Sequence, residues 1–152
     1  MRISTADVDD YSRLIEIWEL SVRATHDFLP EEEILALRPL ILDQYFDAVE
    51  LTCARDEADE ICGFCGVSDG NIEMLFVAPQ ARGTGVGRAL TEHAVRWQSA
   101  MRVDVNEQNV QAIGFYQRMG FAIVGRSPVD GQGKPYPLLH MQLNSLNPSA
   151  EG

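Results

Sequence analysis

Hydrophobic positions change their spacing several times along this chain, and each change predicts an element. "RIST" (2–5) alternates and predicts a short first strand. Behind an acidic start, Tyr11, Leu14, Ile15, Trp18 and Val22 recur every three or four residues, which predicts a helix to about Thr25. "LPEEEILALRPLILDQYF" opens a second helix with Pro30 and three glutamates, and Pro39 is expected to break or kink it. "ELTCAR" and "ICGFCGVS" predict two antiparallel strands joined by the charged turn "DEADE". "DGN" then turns the chain into a third strand, "IEMLFVA", ended by Pro79.

From about Gly85 to Ala100 the period is helical again, with Val86, Leu90, Ala94 and Trp97 on one stripe. Trp18 and Trp97 are therefore both expected in the core. "MRVDVN" reads as a strand. "NVQAIGFYQRMG" reads as a helix capped by Asn109 and stopped by Gly120. "FAIVGRS" and "LLHMQL" complete the set, separated by the loop "PVDGQGKPYP". Strands and helices interleaved in this order imply an α/β architecture, a mixed sheet covered by helices. Residues 1–143 are expected to form one domain and 144–152 a disordered tail.

Composition narrows the function. The chain of 152 residues is 45% hydrophobic and 23% charged, ordinary values for a globular domain. No apolar stretch approaches the ~18 residues of a membrane span, and the N-terminus carries no signal-like apolar run. Three cysteines make no disulfide framework, so a cytoplasmic protein is expected. Net charge is −11, unevenly placed. Residues 1–76 hold five arginines and no lysine against 18 acids, a net of −13, whereas residues 77–152 carry a net of +2. Such a domain repels nucleic-acid phosphates. The asymmetry suits an anionic ligand on the second half and a cationic one facing the first.

The chemistry concentrates in "VAPQARGTGVGRALTEHA" (77–94), where a strand gives way to a helix. A P-loop is excluded, because no lysine follows the glycines. A dinucleotide fingerprint fits poorly, with Arg88 in place of its last glycine and five residues between Val77 and Gly83, although Asp104 lies at a suitable distance downstream. What the stretch does offer is bare backbone at Gly83, Gly85 and Gly87, unpaired amides at a helix start, and two arginines, Arg82 and Arg88. Together these suit a pyrophosphate.

"RGTGVG" resembles the Arg/Gln-x-x-Gly-x-Gly/Ala motif of the GCN5-related N-acetyltransferases, the GNAT family. A second signature agrees: "NVQAIGFYQRMGF" has the family's Asn-x-x-Ala-x-x-Phe-Tyr followed by Gly-Phe. "SVRATHDFLP" and "GKPYPLLHM" look close to a group of small bacterial members. The resemblance implies a GNAT (acyl-CoA N-acyltransferase) fold, a mostly antiparallel sheet of six to seven strands flanked by about four helices. It implies acetyl-CoA as cosubstrate and no metal. The cofactor residues implied are Leu75, Phe76, Val77, Arg82, Gly83, Thr84, Gly85, Val86, Gly87, Arg88, Asn109 and Tyr116, with the Val77 amide facing the thioester oxygen. His26, Phe28, Glu73 and Tyr136 are the implied acceptor contacts.

Acetyl transfer needs a deprotonated amine, and a lysine amine with a pKa near ~10.4 is mostly cationic at neutral pH. Glu73, four residues before Val77 and so expected on its face of the strand, is the candidate base. Tyr116 is the family's usual acid for the leaving thiolate, with Phe115 expected in the core. The acceptor is expected to be a primary amine, a protein lysine first and a polyamine or aminoglycoside second, used by direct attack in a ternary complex. A non-catalytic acyl-CoA sensor is the alternative from another class. Both a monomer and a homodimer are compatible with the pattern. Cys62 and Cys65 form a Cys-x-x-Cys without a second ligand pair, and with Cys53 they are expected to be structural. His93 is expected on the surface.

Overall fold

The computed structural model describes residues 1–25 and 29–144, which fall into two compact units that meet in the chain between Ala100 and Met101. Seven strands and four α-helices appear in the predicted order, and the fold is α/β.

The first unit is an antiparallel meander, β1 (Arg2–Thr5), β2 (Glu50–Arg55), β3 (Ile61–Ser68) and β4 (Asn71–Val77), each strand pairing with the next. Strand residues alternate between faces, so Cys53, Phe64 and Phe76 share one face and Gly63 and Val77 the other. The first face buries Leu14, Ile17 and Trp18 of α1 (Tyr11–Thr25), together with Ile34 of α2 (Glu31–Leu40) and Phe46. The rings of Phe46, Phe64 and Phe76 meet in series at 5.7 Å per pair. The second face receives α3 (Val86–Trp97), because Gly63 lets Val86 and Leu90 approach: a Cβ there would lie 2.8 Å from Val86 Cγ1.

Pro39 does not end α2. It sits in the last turn, and the chain continues as a wide, π-type turn over Ile41–Tyr45. A proline lacks the N–H that closes the preceding turn, so the helix widens rather than stops.

The second unit orders its strands β5 (Arg102–Asn106), β7 (Leu138–Leu143), β6 (Phe121–Ser127), all antiparallel, with α4 (Val110–Arg118) packed on β6. Val103, Val105, Tyr116, Phe121 and Met141 form its buried layer. Asn109 caps α4 by accepting the Ala112 amide at 3.1 Å, and Gly120, at φ +103°, ends it as expected.

Three expectations need correction. Trp97 is 71% exposed: the α3 stripe of Val86, Leu90 and Ala94 runs out one turn earlier, and Ala100 fills the position beneath. His93 is half-buried, its Nδ1 enclosed without a partner. On α4 the aromatic pair is exchanged. Tyr116, not Phe115, is the buried ring, held edge-on against Phe121 at 5.6 Å after the tight Gly120 turn.

Candidate active site

The site in the first unit grows out of β4. Its pairing with β3 slips between Gly66 and Val67: Val67 faces Ile72, Gly66 faces Met74, and Glu73 is the extra residue of a β-bulge. The period of two that would set Glu73 over Val77 is therefore broken, which corrects the expected placement. Glu73 instead joins Met74 and Phe76 at a cavity of about 440 Å³ walled by Trp18, Tyr45 and Ser68. The Asn71 amide group donates to Glu73 Oε2 at 3.0 Å and orients the carboxylate.

Beyond the bulge β4 is regular. The Ala78 amide donates to Cys62 O on β3 at 2.8 Å. Successive N–H groups along a strand point to opposite edges, so the amides of Val77 and Leu75 point away from β3. A short turn, Pro79–Ala81, then delivers the glycine loop, where the Thr84 hydroxyl donates to Ala81 O and pins it.

Gly83 and Gly85 adopt φ of +79° and +92°, the region that favours glycine. A Cβ on either would meet no protein atom within 4 Å, so both face open space. Gly85 is the N-cap of α3 and supplies no side-chain cap, which leaves the first-turn amides of Val86, Gly87 and Arg88 without an intrahelical partner. Arg82 and Arg88 are exposed beside them, Arg88 pairing with Glu92 at 3.2 Å on the outer face. Uncapped donors, positive helix polarity, bare backbone and two guanidiniums fit a pyrophosphate.

In the second unit Asn109 and Tyr116 share α4. Tyr136 is half-buried in a loop organised by Asp130, whose Oδ1 accepts the amides of Gln132 and Lys134 at 2.9 Å each. His26 and Phe28, and the tail beyond Asn144, lie outside the described residues. The sequence reading missed Tyr45 and assigned Trp18 to the core alone. Trp18 is 3% exposed and also walls the cavity. The available signal for Tyr45 was Pro39, since the wide turn that follows carries Ile41 and Tyr45 to the cavity. The thiols are structural: all three cysteines are buried, and desolvation pushes Cys65 up to about 12.

A strand with outward amides running into an uncapped, glycine-opened helix is how acyl-CoA N-acyltransferases are built, and residues 48–123 match the family model described as the acetyltransferase (GNAT) domain. The chain belongs to that family and is an N-acetyltransferase, a class that draws its acetyl group from acetyl-CoA. It is similar to the peptidyl-lysine N-acetyltransferase YjaB of Escherichia coli, at 44% identity over 88% of this chain and 90% of that protein. The solution structure of apo-form YjaB from Escherichia coli superposes with a TM-score of 0.82 at 42% identity, covering 93% of this chain and 97% of that one. PaiA N-acetyltransferase from Thermoplasma acidophilum, solved in complex with coenzyme A, shares the fold at 18% identity and a TM-score of 0.70 over 95% of this chain and all of that one. Among the described residues no helix is long and apolar enough to cross a membrane.

Proposed function

We propose that this chain acetylates the ε-amine of protein lysines by direct attack within a ternary complex. One observation carries the choice of acceptor: among the described residues, the cavity beside β4 has a single carboxylate, Glu73, with the rings of Trp18, Tyr45 and Phe76. An aromatic wall attracts an ammonium group through the ring faces, and a carboxylate at its end pairs with it. The −13 charge of residues 1–76 draws cationic chains to the same unit. The name of the YjaB relatives supports lysine as well.

In this reading the amides of Val86 to Arg88, with Arg82 and Arg88, hold the pyrophosphate, and Asn109 and the backbone of Leu75 to Val77 hold the arm of acetyl-CoA, which supplies an activated acetyl thioester. Glu73 takes the proton from the entering ammonium, directly or through one water, at Oε1 or Oε2. The Val77 amide, fixed before the reaction begins, donates to the carbonyl oxygen where negative charge develops. The Tyr116 hydroxyl stays protonated at pH 7 and gives its proton to the departing sulfur.

The cavity's size also favours a second reading, since about 440 Å³ lies within the range of small-molecule pockets. A polyamine or an aminoglycoside is then the acceptor. Coenzyme A release measured with lysine peptides, spermidine and an aminoglycoside decides between them, with Glu73→Gln in parallel. Lysine peptides turning over fastest, and losing ~10²-fold or more in Glu73→Gln, is the outcome expected. Tight acetyl-CoA binding with no turnover on any amine overturns the enzymatic reading in favour of a sensor.

A further inference from the structure

On the second unit, three side chains from three adjacent strands form a chain of hydrogen bonds that the proposed acetyl transfer does not use. Asp104 on β5 stands directly opposite His140 on β7. Asp104 Oδ1 lies 2.6 Å from His140 Nδ1, and His140 Nε2 lies 2.6 Å from Ser127 Oγ on β6. An ionised carboxylate only accepts hydrogen bonds, so it selects the tautomer with the proton on Nδ1. Nε2 is left as the acceptor, and the Ser127 hydroxyl donates to it. The order carboxylate, imidazole, hydroxyl is that of an activated serine.

The backbone is arranged to make this contact. β6 pairs Ile123 with Met141 but Gly125 with His140, so Val124 is an extra, bulged residue. Without it Ser127 would point to the opposite face of the sheet, because a one-residue slip reverses every side chain. The bulge brings Ser127 round to the face of His140. It also sets Gly125 opposite the imidazole, where an added Cβ would lie in van der Waals contact with His140 Cδ2 at 3.5 Å. The site is reachable: the side chains of His140 and Asp104 are 37% and 44% exposed. Exposed hydrogen bonds of this kind contribute little stability, which makes a purely structural role a weak reason for a bulge and a bare glycine.

We propose that Ser127 is an activated nucleophile that accepts an acyl group from small acyl esters and thioesters. Ser127 Oγ attacks the carbonyl carbon and its proton passes to His140 Nε2. The Oγ–C bond forms as the C–O or C–S bond of the donor breaks, and His140 returns the proton to the departing oxygen or sulfur. Asp104 accepts the hydrogen bond from His140 Nδ1 throughout. No oxidant, reductant or metal enters the balance, and the step does not depend on the acetyl-CoA site of the preceding reading.

The test treats the whole chain with p-nitrophenyl acetate and maps the acetylated residues by peptide mass spectrometry, alongside His140→Gln, Asp104→Asn and Ser127→Ala. Far-UV circular dichroism establishes that each variant is folded. The expected result is one acetyl group on Ser127, formed ~10²-fold more slowly in His140→Gln and also slowed in Asp104→Asn, with the Ser127 peptide unlabelled in Ser127→Ala. Acetylation confined to Lys134 and the N-terminal amine, or an equal rate at Ser127 in wild type and His140→Gln, overturns the proposal.

Discussion

Gly85→Ala separates the strain of the glycine loop from its proposed role as a phosphate cradle. Gly85 sits at φ +92° and ψ 5°, a conformation that an L side chain adopts at a cost of roughly 1–2 kcal/mol. Nothing in the protein lies within 4 Å of the added Cβ, so no clash adds to that cost. For a chain of 152 residues each kcal/mol lowers Tm by about 2–4 °C, and the variant stays folded. The ligand meets the new methyl group instead, because the Cβ enters the space in front of the α3 amides. Losing one or two charge-assisted hydrogen bonds, at ~1.5–3 kcal/mol each, weakens acetyl-CoA binding by roughly 10- to 10⁴-fold. Gly133→Ala is the matched control: φ is +77° there and the Cβ is equally unobstructed, in a loop of the second unit. Scanning calorimetry is expected to show similar Tm losses for both variants. Titration calorimetry is expected to show the loss of acetyl-CoA affinity in Gly85→Ala alone. Equal affinity in the two variants would refute the reasoning.

Tyr116→Phe removes the proposed proton donor while keeping the buried ring against Phe121. We expect kcat to fall by ~10²-fold or more with acetyl-CoA affinity nearly unchanged, read by steady-state kinetics and calorimetry. Gly63→Ala places a methyl 2.8 Å from Val86 Cγ1 and 3.1 Å from Phe76 O. Chemical denaturation should show it less stable by about 1–3 kcal/mol, the usual range for overpacking, and a stability within 0.5 kcal/mol of wild type would contradict the close approach of α3. The buried thiols should be silent to an aromatic disulfide reagent at pH 8, with all three appearing on unfolding. Burial raises Cys62 and Cys65 alike, so their reactive thiolates form only at alkaline pH; fast native labelling of either would refute this.

Local chemistry was legible in the sequence wherever a residue acts on its own neighbours. The extent of α1, the bounds of β2 and β3, the Asn109 cap and the Gly120 stop were all readable from spacing and turn residues. So was the need for bare backbone in the glycine loop, where Gly83 and Gly85 adopt positive φ. Features set by a partner elsewhere in the chain were not readable. The bulge at Glu73 exists only as a mismatch with β3, so a strand read alone gives it the wrong face. The bulge at Val124 is hidden in the same way, and with it the meeting of Ser127 and His140. The exchange of Tyr116 for Phe115 is decided by Phe121, and exposure of Trp97 by where α3 stops covering the sheet. Tyr45 reaches the cavity in the wide turn after Pro39, and for Trp18 hydrophobic spacing alone does not distinguish a cavity wall from a core.

A crystal structure with acetyl-CoA bound tests the central claim most directly. The account predicts pyrophosphate oxygens within hydrogen-bonding distance of the main-chain nitrogens between Gly83 and Arg88, with the Val77 amide on the thioester oxygen. Density for the pyrophosphate away from the start of α3 would contradict it.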